Sequence, residues 1–303
     1  MFRATKLLSL VLGVLLIFTG CASPQDGASQ DQTGDIQIKL GVIEPVSGSM
    51  APLGTAEYEA IKMAIDMVNE EGGVLGKYKV EHVFADSQSN PSVGASEAER
   101  LITTEKVPIL LGSYSSAIAM AISEIAERYK VPLWEMSGAT DDLLIRGYQW
   151  TFRNEAMASS WGASGVEFVA EYAPEALGKE LKDIKVAIVH EDGPYGTAVS
   201  DGNRKYAEKF GMNIVLDEGY SSKTVDLSNI IMKLKSAEPD VLLLTSYVTD
   251  AILFNRQAKE LGFKVKMLVT HSGGHSVQAF VDGVGKDADY ILTVDPVPCK
   301  FNT

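Results

Sequence analysis

The sequence predicts an α/β protein built as two Rossmann-like lobes with parallel sheets and a ligand cleft between them. Three observations lead there. From residue 36 onward, short β-rich runs alternate with amphipathic helical stretches, the pattern of parallel sheets with helices on both faces. The alternation pauses near Asn154 and then restarts, which suggests two such units. About 270 residues lie beyond the leading polar segment, ample for two separate cores.

Each element has its own local reason. Residues 38–43 (IKLGVI) form a strand with a mostly apolar face. Tyr58, Ile61, Ile65 and Val68 recur at three- and four-residue steps and stop at Gly72-Gly73, a helix with a glycine end. Residues 79–85 return to strand. Asn90-Pro91 fits an N-cap followed by proline at the first helical position, and Val93, Ala98, Leu101 and Ile102 supply that helix's buried stripe. Residues 107–111 read as a buried strand, 116–129 as a helix carrying Ile118, Ile122, Ile125 and Tyr129 on one side, and 131–136 as the next strand. The second series runs helix 159–172, strand 185–190, helix 196–210, strand 213–217, helix 227–236, strand 240–245, helix 249–261 and strand 266–269. A last strand is expected at 290–294. In such sheets ligands bind at the carboxyl ends of the strands.

In front of the folded part, Arg3 and Lys6 precede an apolar run over residues 7–18 that is too short to span a bilayer. Thr19-Gly20-Cys21 follow it. Small residues before a cysteine at the end of such a run resemble the lipobox of bacterial lipoproteins, although Phe18 stands where leucine is usual. Cleavage after residue 20 would leave Cys21 acylated, and several acyl chains anchor a protein to a membrane far better than one. Residues 24–35 (PQDGASQDQTGD) read as a flexible tether.

The net charge is −13, and both Arg3 and Lys6 belong to the leading segment, so the remainder is more acidic still. That charge repels phosphate backbones, which argues against a nucleic-acid partner. The cysteines are Cys21 and Cys299. With the first acylated, no intramolecular disulfide and no cysteine metal site can form.

Several enzyme signatures fail. Residues 72–77 (GGVLGK) are one residue short of a phosphate loop, lack the following Ser/Thr, and end a helix where a phosphate loop begins one. His271 and His275 have the i, i+4 spacing of zinc ligands, but Gly273 and Gly274 between them argue for a loop and no metal is expected. There is no Gly-x-Ser-x-Gly elbow. His190-Glu191-Asp192 is expected to be a solvated strand end. No cofactor and no catalytic residue is expected.

Read together, residues 45–48 (PVSG) with Gly54, 69–76 (NEEGGVLG), Asp86 with Asn90-Pro91, 112–116 (GSYSS), 137–140 (SGAT), 146–148 (RGY), Tyr195-Gly196 and 224–227 (TVDL) resemble the Leu/Ile/Val-binding proteins. These are the branched-chain amino acid receptors of ABC importers, with the type I periplasmic binding fold. The resemblance runs from Ile36 to about Pro298. Each piece is short, but their order and spacing are specific.

The resemblance implies a site for an α-amino acid. Ser116 begins a helix, and its hydroxyl with the free amides behind it suits a carboxylate. The alternative is that it only caps that helix. The resemblance places Thr140 and the Gly138 carbonyl on the ligand's polar groups. Asp250 stands where family members often carry Glu to pair the ligand ammonium. Read locally, it is an acid in the first turn of a helix. Tyr114, Tyr195 and Tyr247 are candidates for packing the ligand side chain, and Leu53 falls where relatives often have an aromatic.

The implied partners are an amino acid, an ABC permease and, through Cys21, a membrane. The implied division is a signal peptide over 1–20, Cys21 and tether over 21–35, a first lobe of 36–154 plus 271–303, and a second lobe of 155–270. Family members continue well past the strand at 290–294. A chain stopping at Thr303 is therefore either a truncated product or part of a longer protein, and its first lobe is expected to be incomplete. Rival readings are a receptor for an amide, urea or aromatic acid, a ligand-sensing subunit, and an extracellular hydrolase. For the last, Ser116 has no histidine that the sequence places near it.

Overall fold

The computed structural model describes residues 37–295. The expected signal peptide, Cys21 and tether lie outside the described residues, as does Cys299.

The first lobe is formed by β1 (Gln37–Glu44), α1 (Ala51–Glu70), β2 (Lys79–Asp86), α2 (Pro91–Thr103), β3 (Ile109–Gly112), α3 (Ser116–Tyr129), β4 (Leu133–Glu135), α4 (Asp142–Ile145) and β5 (Thr151–Arg153). Its strands lie in the order β2-β1-β3-β4-β5, all parallel. The second lobe holds α5 (Ala158–Leu177), β6 (Lys185–Glu191), α6 (Pro194–Lys209), β7 (Asn213–Tyr220), α7 (Ser228–Ala237), β8 (Val241–Thr245), α8 (Val248–Glu260), β9 (Met267–His271), α9 (Gln278–Val284) and β10 (Leu292–Val294). Its order is β10-β9-β8-β6-β7, again parallel. Both sheets therefore reverse direction beside their first strand, and the crevice at such a switch point is where ligands bind.

Alternation along the central strands explains the layers. On β6, Val186 and Ile188 face one core with Val166, Val169 and Ala207, while Ala187 and Val189 face another with Ile231, Leu234 and Phe254. In the first lobe Ile43 and Leu110 pack on Leu101, Ile118 and Ile122, and Val42 packs on Ile61 and Ile65 across the sheet. The expected N-cap is present, with the Ser92 amide donating to Asn90 Oδ1 at 2.9 Å. Gly72 and Gly73 follow α1 with φ of +103° and +87°, so that doublet ends a helix, as its spacing implied.

Three differences from the sequence reading have physical causes. Elements α4 and β5, of four and three residues, are too short for a periodicity to reveal. Residues 271–303 are expected in the first lobe. Instead β10 pairs with β9 at Leu292↔Val269 and extends the second sheet, because β9 still has an open edge there. Glu191 is not solvated. It is 2% exposed, and its carboxylate accepts the Gly193 and Gly196 amides at 2.7 and 2.6 Å at the start of α6.

Candidate functional site

The two sheets present their carboxyl ends to each other, and a cavity of about 170 Å³ lies where they meet. From the first lobe come Leu53 and Glu57 on α1, Tyr114 and Ser116 after β3, and Ser137 after β4, with Glu155 on the crossover. The second lobe contributes Trp161 on α5, Tyr195 on α6, Tyr247 before α8, and Ser272, Gly273, Ser276 and Val277 after β9. The lobes also touch directly, with Thr249 Oγ1 donating to the Ser49 carbonyl at 3.0 Å.

Aromatic rings make up much of the wall. Tyr247 meets Tyr114 edge-on at 5.8 Å between centroids and Tyr195 at 5.5 Å, and Tyr195 meets Trp161 at 6.0 Å. Tyr195 Oη donates to the His271 carbonyl at 2.7 Å, which fixes its ring. Tyr114 Oη is buried without a hydrogen-bond partner.

At the head of α3, Ser116 is 2% exposed. Its Oγ accepts the Thr140 amide at 3.1 Å, so its own hydrogen is free to donate. No acidic residue occupies the first turn of α3, and that N-terminus can receive an anion.

Beneath this wall lies a cluster of carboxyls. Glu135 Oε2 accepts the Ser113 amide at 2.6 Å, and Oε1 accepts those of Gly138 and Ser137 at 2.8 and 3.1 Å. It thus ties the loop after β3 to the loop after β4. Glu44, 0% exposed, accepts the Tyr114 amide at 3.1 Å. Ser137 Oγ donates to Glu57 Oε1. Glu57 is only partly covered as a residue, but its Oε2 is shut off from solvent. Burial pushes the Glu57 carboxyl up to about 7 and Glu135 up to about 8. Burial, then the neighbouring Glu57 and Glu135 charges, raises Glu44 well above the usual carboxylate range.

Of the residues singled out by sequence, Leu53, Tyr114, Ser116, Tyr195 and Tyr247 come together on this wall. Gly138, Thr140 and Asp250 do not line it. The carbonyls of Gly138 and Thr140 accept Arg153 Nη1 at 2.9 and 2.8 Å, so they hold the loop rather than face the cavity. Asp250 is 1% exposed. Its Oδ2 accepts the Tyr220 hydroxyl at 2.6 Å and the Tyr247 amide at 3.3 Å, which is the local helix-start arrangement, and burial pushes it up to about 7. The rings of His271 and His275 are engaged by Thr245, Ser246 and Asn255.

The sequence reading missed Glu57, Glu155, Trp161 and the segment after β9. Glu57 carried a usable signal, since it lies four residues after Leu53 and so shares its helix face. Trp161 sits on α5 among apolar and small residues that read equally well as core.

The sequence between residues 37 and 298 matches a family model described as periplasmic binding protein. The chain is 36% identical over 273 residues to Leu/Ile/Val-binding protein homolog 7 of Brucella abortus (strain 2308), covering 90% of this chain and 67% of that relative. It thus spans about two thirds of that relative's length. Among solved structures it is similar to the branched-chain amino acid transporter substrate-binding protein LivJ from Streptococcus pneumoniae in complex with isoleucine. The TM-score is 0.72 at 27% identity, over 83% of this chain and 68% of that one. It is also similar to an ABC transporter solute-binding protein from R. palustris in complex with 4-hydroxybenzoate. There the TM-score is 0.67 at 26% identity, over 78% and 61% of the two chains.

Proposed function

The chain belongs to the periplasmic binding protein family, and on that premise we propose that it captures an amino acid, branched-chain or related, for an ABC importer. The family is one of solute-binding proteins rather than enzymes, and it works outside the cytoplasmic membrane. One observation carries the reading. A cavity between two lobes has an oriented hydroxyl and a helix N-terminus on one side and a wall of aromatic rings on the other. The ligand carboxylate sits at Ser116 and the head of α3. Its side chain lies among Leu53, Tyr114, Tyr195 and Tyr247, and its ammonium meets a carboxylate of the wall. Closure follows because only the closed state makes the contacts of both lobes.

A thermal-shift screen of the twenty amino acids tests this. At ~100-fold above its dissociation constant, the right one adds ~2.7 kcal/mol to stability, a rise of several degrees in melting temperature. A shift confined to uncharged amides, or to carboxylic acids lacking an amine, sinks the amino-acid reading. An aromatic acid is the second reading, favoured by the four rings on the wall.

The permease is the expected partner, and a lipid anchor at Cys21 is the expected tie to the membrane. The anchor is supported by the apolar run at 7–18 and the Gly20-Cys21 pair. Among the described residues no helix is long and apolar enough to cross a membrane. Cys21→Ser is expected to release the protein from the membrane fraction and to abolish palmitate labelling. A mutant that still labels and sediments with membranes overturns the anchor.

A further inference from the structure

We propose that Glu57, held by Ser137 and backed by Glu44, is the group that receives the ammonium of the captured ligand, and that it does so by giving up a proton to water. The inference rests on the amino-acid reading above and deepens it by naming the residue that selects for an amine.

Four observations carry it. Glu57 lies on the cavity wall with Ser116, so one ligand can reach both. Among the described residues the wall has no lysine, arginine or histidine to compete for the carboxylate. Arg153 donates to the carbonyls of Gly138, Thr140 and Glu155 and leaves Glu57 to the cavity. Tyr114, whose buried hydroxyl is without a partner, stands on the same wall, as a site waiting for a polar ligand would have it.

Glu57 does not stand alone. Its near neighbour is the carboxyl of Glu44. Glu57 Oε2 and Glu44 Oε1 are both buried without a hydrogen-bond partner, and two carboxyl groups so placed cannot both ionise cheaply. Glu44 is fully buried and adjoins Glu135 as well, so of the two it is the one that holds its proton more tightly. Glu135, Glu155 and Tyr114 are the other titratable groups facing this pair. With its carboxyl pushed up to about 7 by burial, Glu57 is mostly protonated at pH 6. An arriving ammonium favours the ionised form. The balance is R–NH3⁺ plus the Glu57 carboxylic acid giving the ammonium–carboxylate pair plus one proton in bulk water. Asp250 has no such access, since it is buried off the wall against Tyr220.

The test uses L-leucine first, then the other amino acids, each beside the matching acid without the amine (4-methylpentanoate for leucine). Calorimetric titration at pH 6 in two buffers of different ionisation enthalpy counts protons. The expected result is release of close to one proton per amino acid bound, with affinity rising between pH 6 and pH 8 and the amine-free acid bound far more weakly. Glu57→Gln is expected to weaken amino-acid binding by ~30-fold or more at pH 8 and to abolish proton release. Asp250→Asn is expected to change affinity by less than about threefold, as a residue outside the wall would.

Amino-acid binding that survives Glu57→Gln, or a loss of affinity and proton release that follows Asp250→Asn instead, overturns the proposal and leaves the amino-acid reading standing. Should Glu57→Gln not fold, the parent protein decides. Binding without proton release, or equal binding of leucine and 4-methylpentanoate, overturns it. If no amino acid binds the parent at all, the underlying reading fails, and the proposal with it.

Discussion

Raising the pH of the unliganded protein from 6.5 to 8 is expected to lower its stability by roughly 3 kcal/mol. Glu57 and Asp250 sit near 7 and Glu135 near 8, all raised by burial from ordinary values of 4.5, 3.8 and 4.5. The folded protein therefore holds protons at pH 6.5 that the unfolded chain has already released. Stability must fall as pH climbs through the folded values, and Glu44 and Glu191, raised for the same first reason, act in the same direction. The buried His271 and His275, pushed down to about 4 and about 3 by burial, oppose this mainly at lower pH, where the unfolded histidines gain protons, and offset less than about 1 kcal/mol between pH 6.5 and 8. Most of the change above 6.5 therefore comes from the carboxyls. Urea unfolding at the two pH values measures the difference, which corresponds to a drop of very roughly 6–12 °C in melting temperature for a chain of this size. A flat or rising profile across that window is incompatible with the carboxyl cluster being buried as described. Saturating amino acid should make the fall shallower by the Glu57 share, because an ionised Glu57 would then have a cationic partner.

Gly112→Ala is expected to cost more than about 4 kcal/mol, at the upper end for a single substitution. Gly112 ends β3 with φ at +116°, and a Cβ there would lie 2.1 Å from the Ile43 carbonyl oxygen. That oxygen belongs to the paired strand β1, so neither atom can yield without opening the centre of the first sheet. The loop after Gly112 carries Tyr114 and Ser116, and the damage should reach ligand affinity as well as stability. Gly178→Ala is the control. It too has positive φ, at +63°, but nothing lies within 4 Å of the added carbon, and its expected cost is only about 1–2 kcal/mol. Melting curves of both proteins check this. Similar losses at the two positions would mean that the close approach to Ile43 does not matter.

Much of the fold was legible because it is local. The stripe of Ile118, Ile122 and Ile125, the Asn90-Pro91 cap and the Gly72-Gly73 stop each act within one element, and the same spacing recurs in every chain that forms such an element. The three-residue β5 left no period to read, and the position of β10 depended on which sheet offered a free edge. That choice is made by packing between distant segments.

The site divides in the same way. Ser116 and the tyrosines were legible because they stand where strands hand over to helices, and that is a feature of order along the chain. Thr140, Gly138 and Asp250 stand at similar points, yet Arg153, Tyr220 and the Tyr247 amide engage them away from the cavity. What the sequence determined by itself was the alternation of strand and helix, hence two parallel sheets and the edges at which their strands end. Only the tertiary structure decided which side chains at those edges face one another. Burial and electrostatic coupling depend on distances in space, and Glu44, Glu57 and Glu135 acquire their raised hold on protons only once β1, α1 and β4 have been brought together.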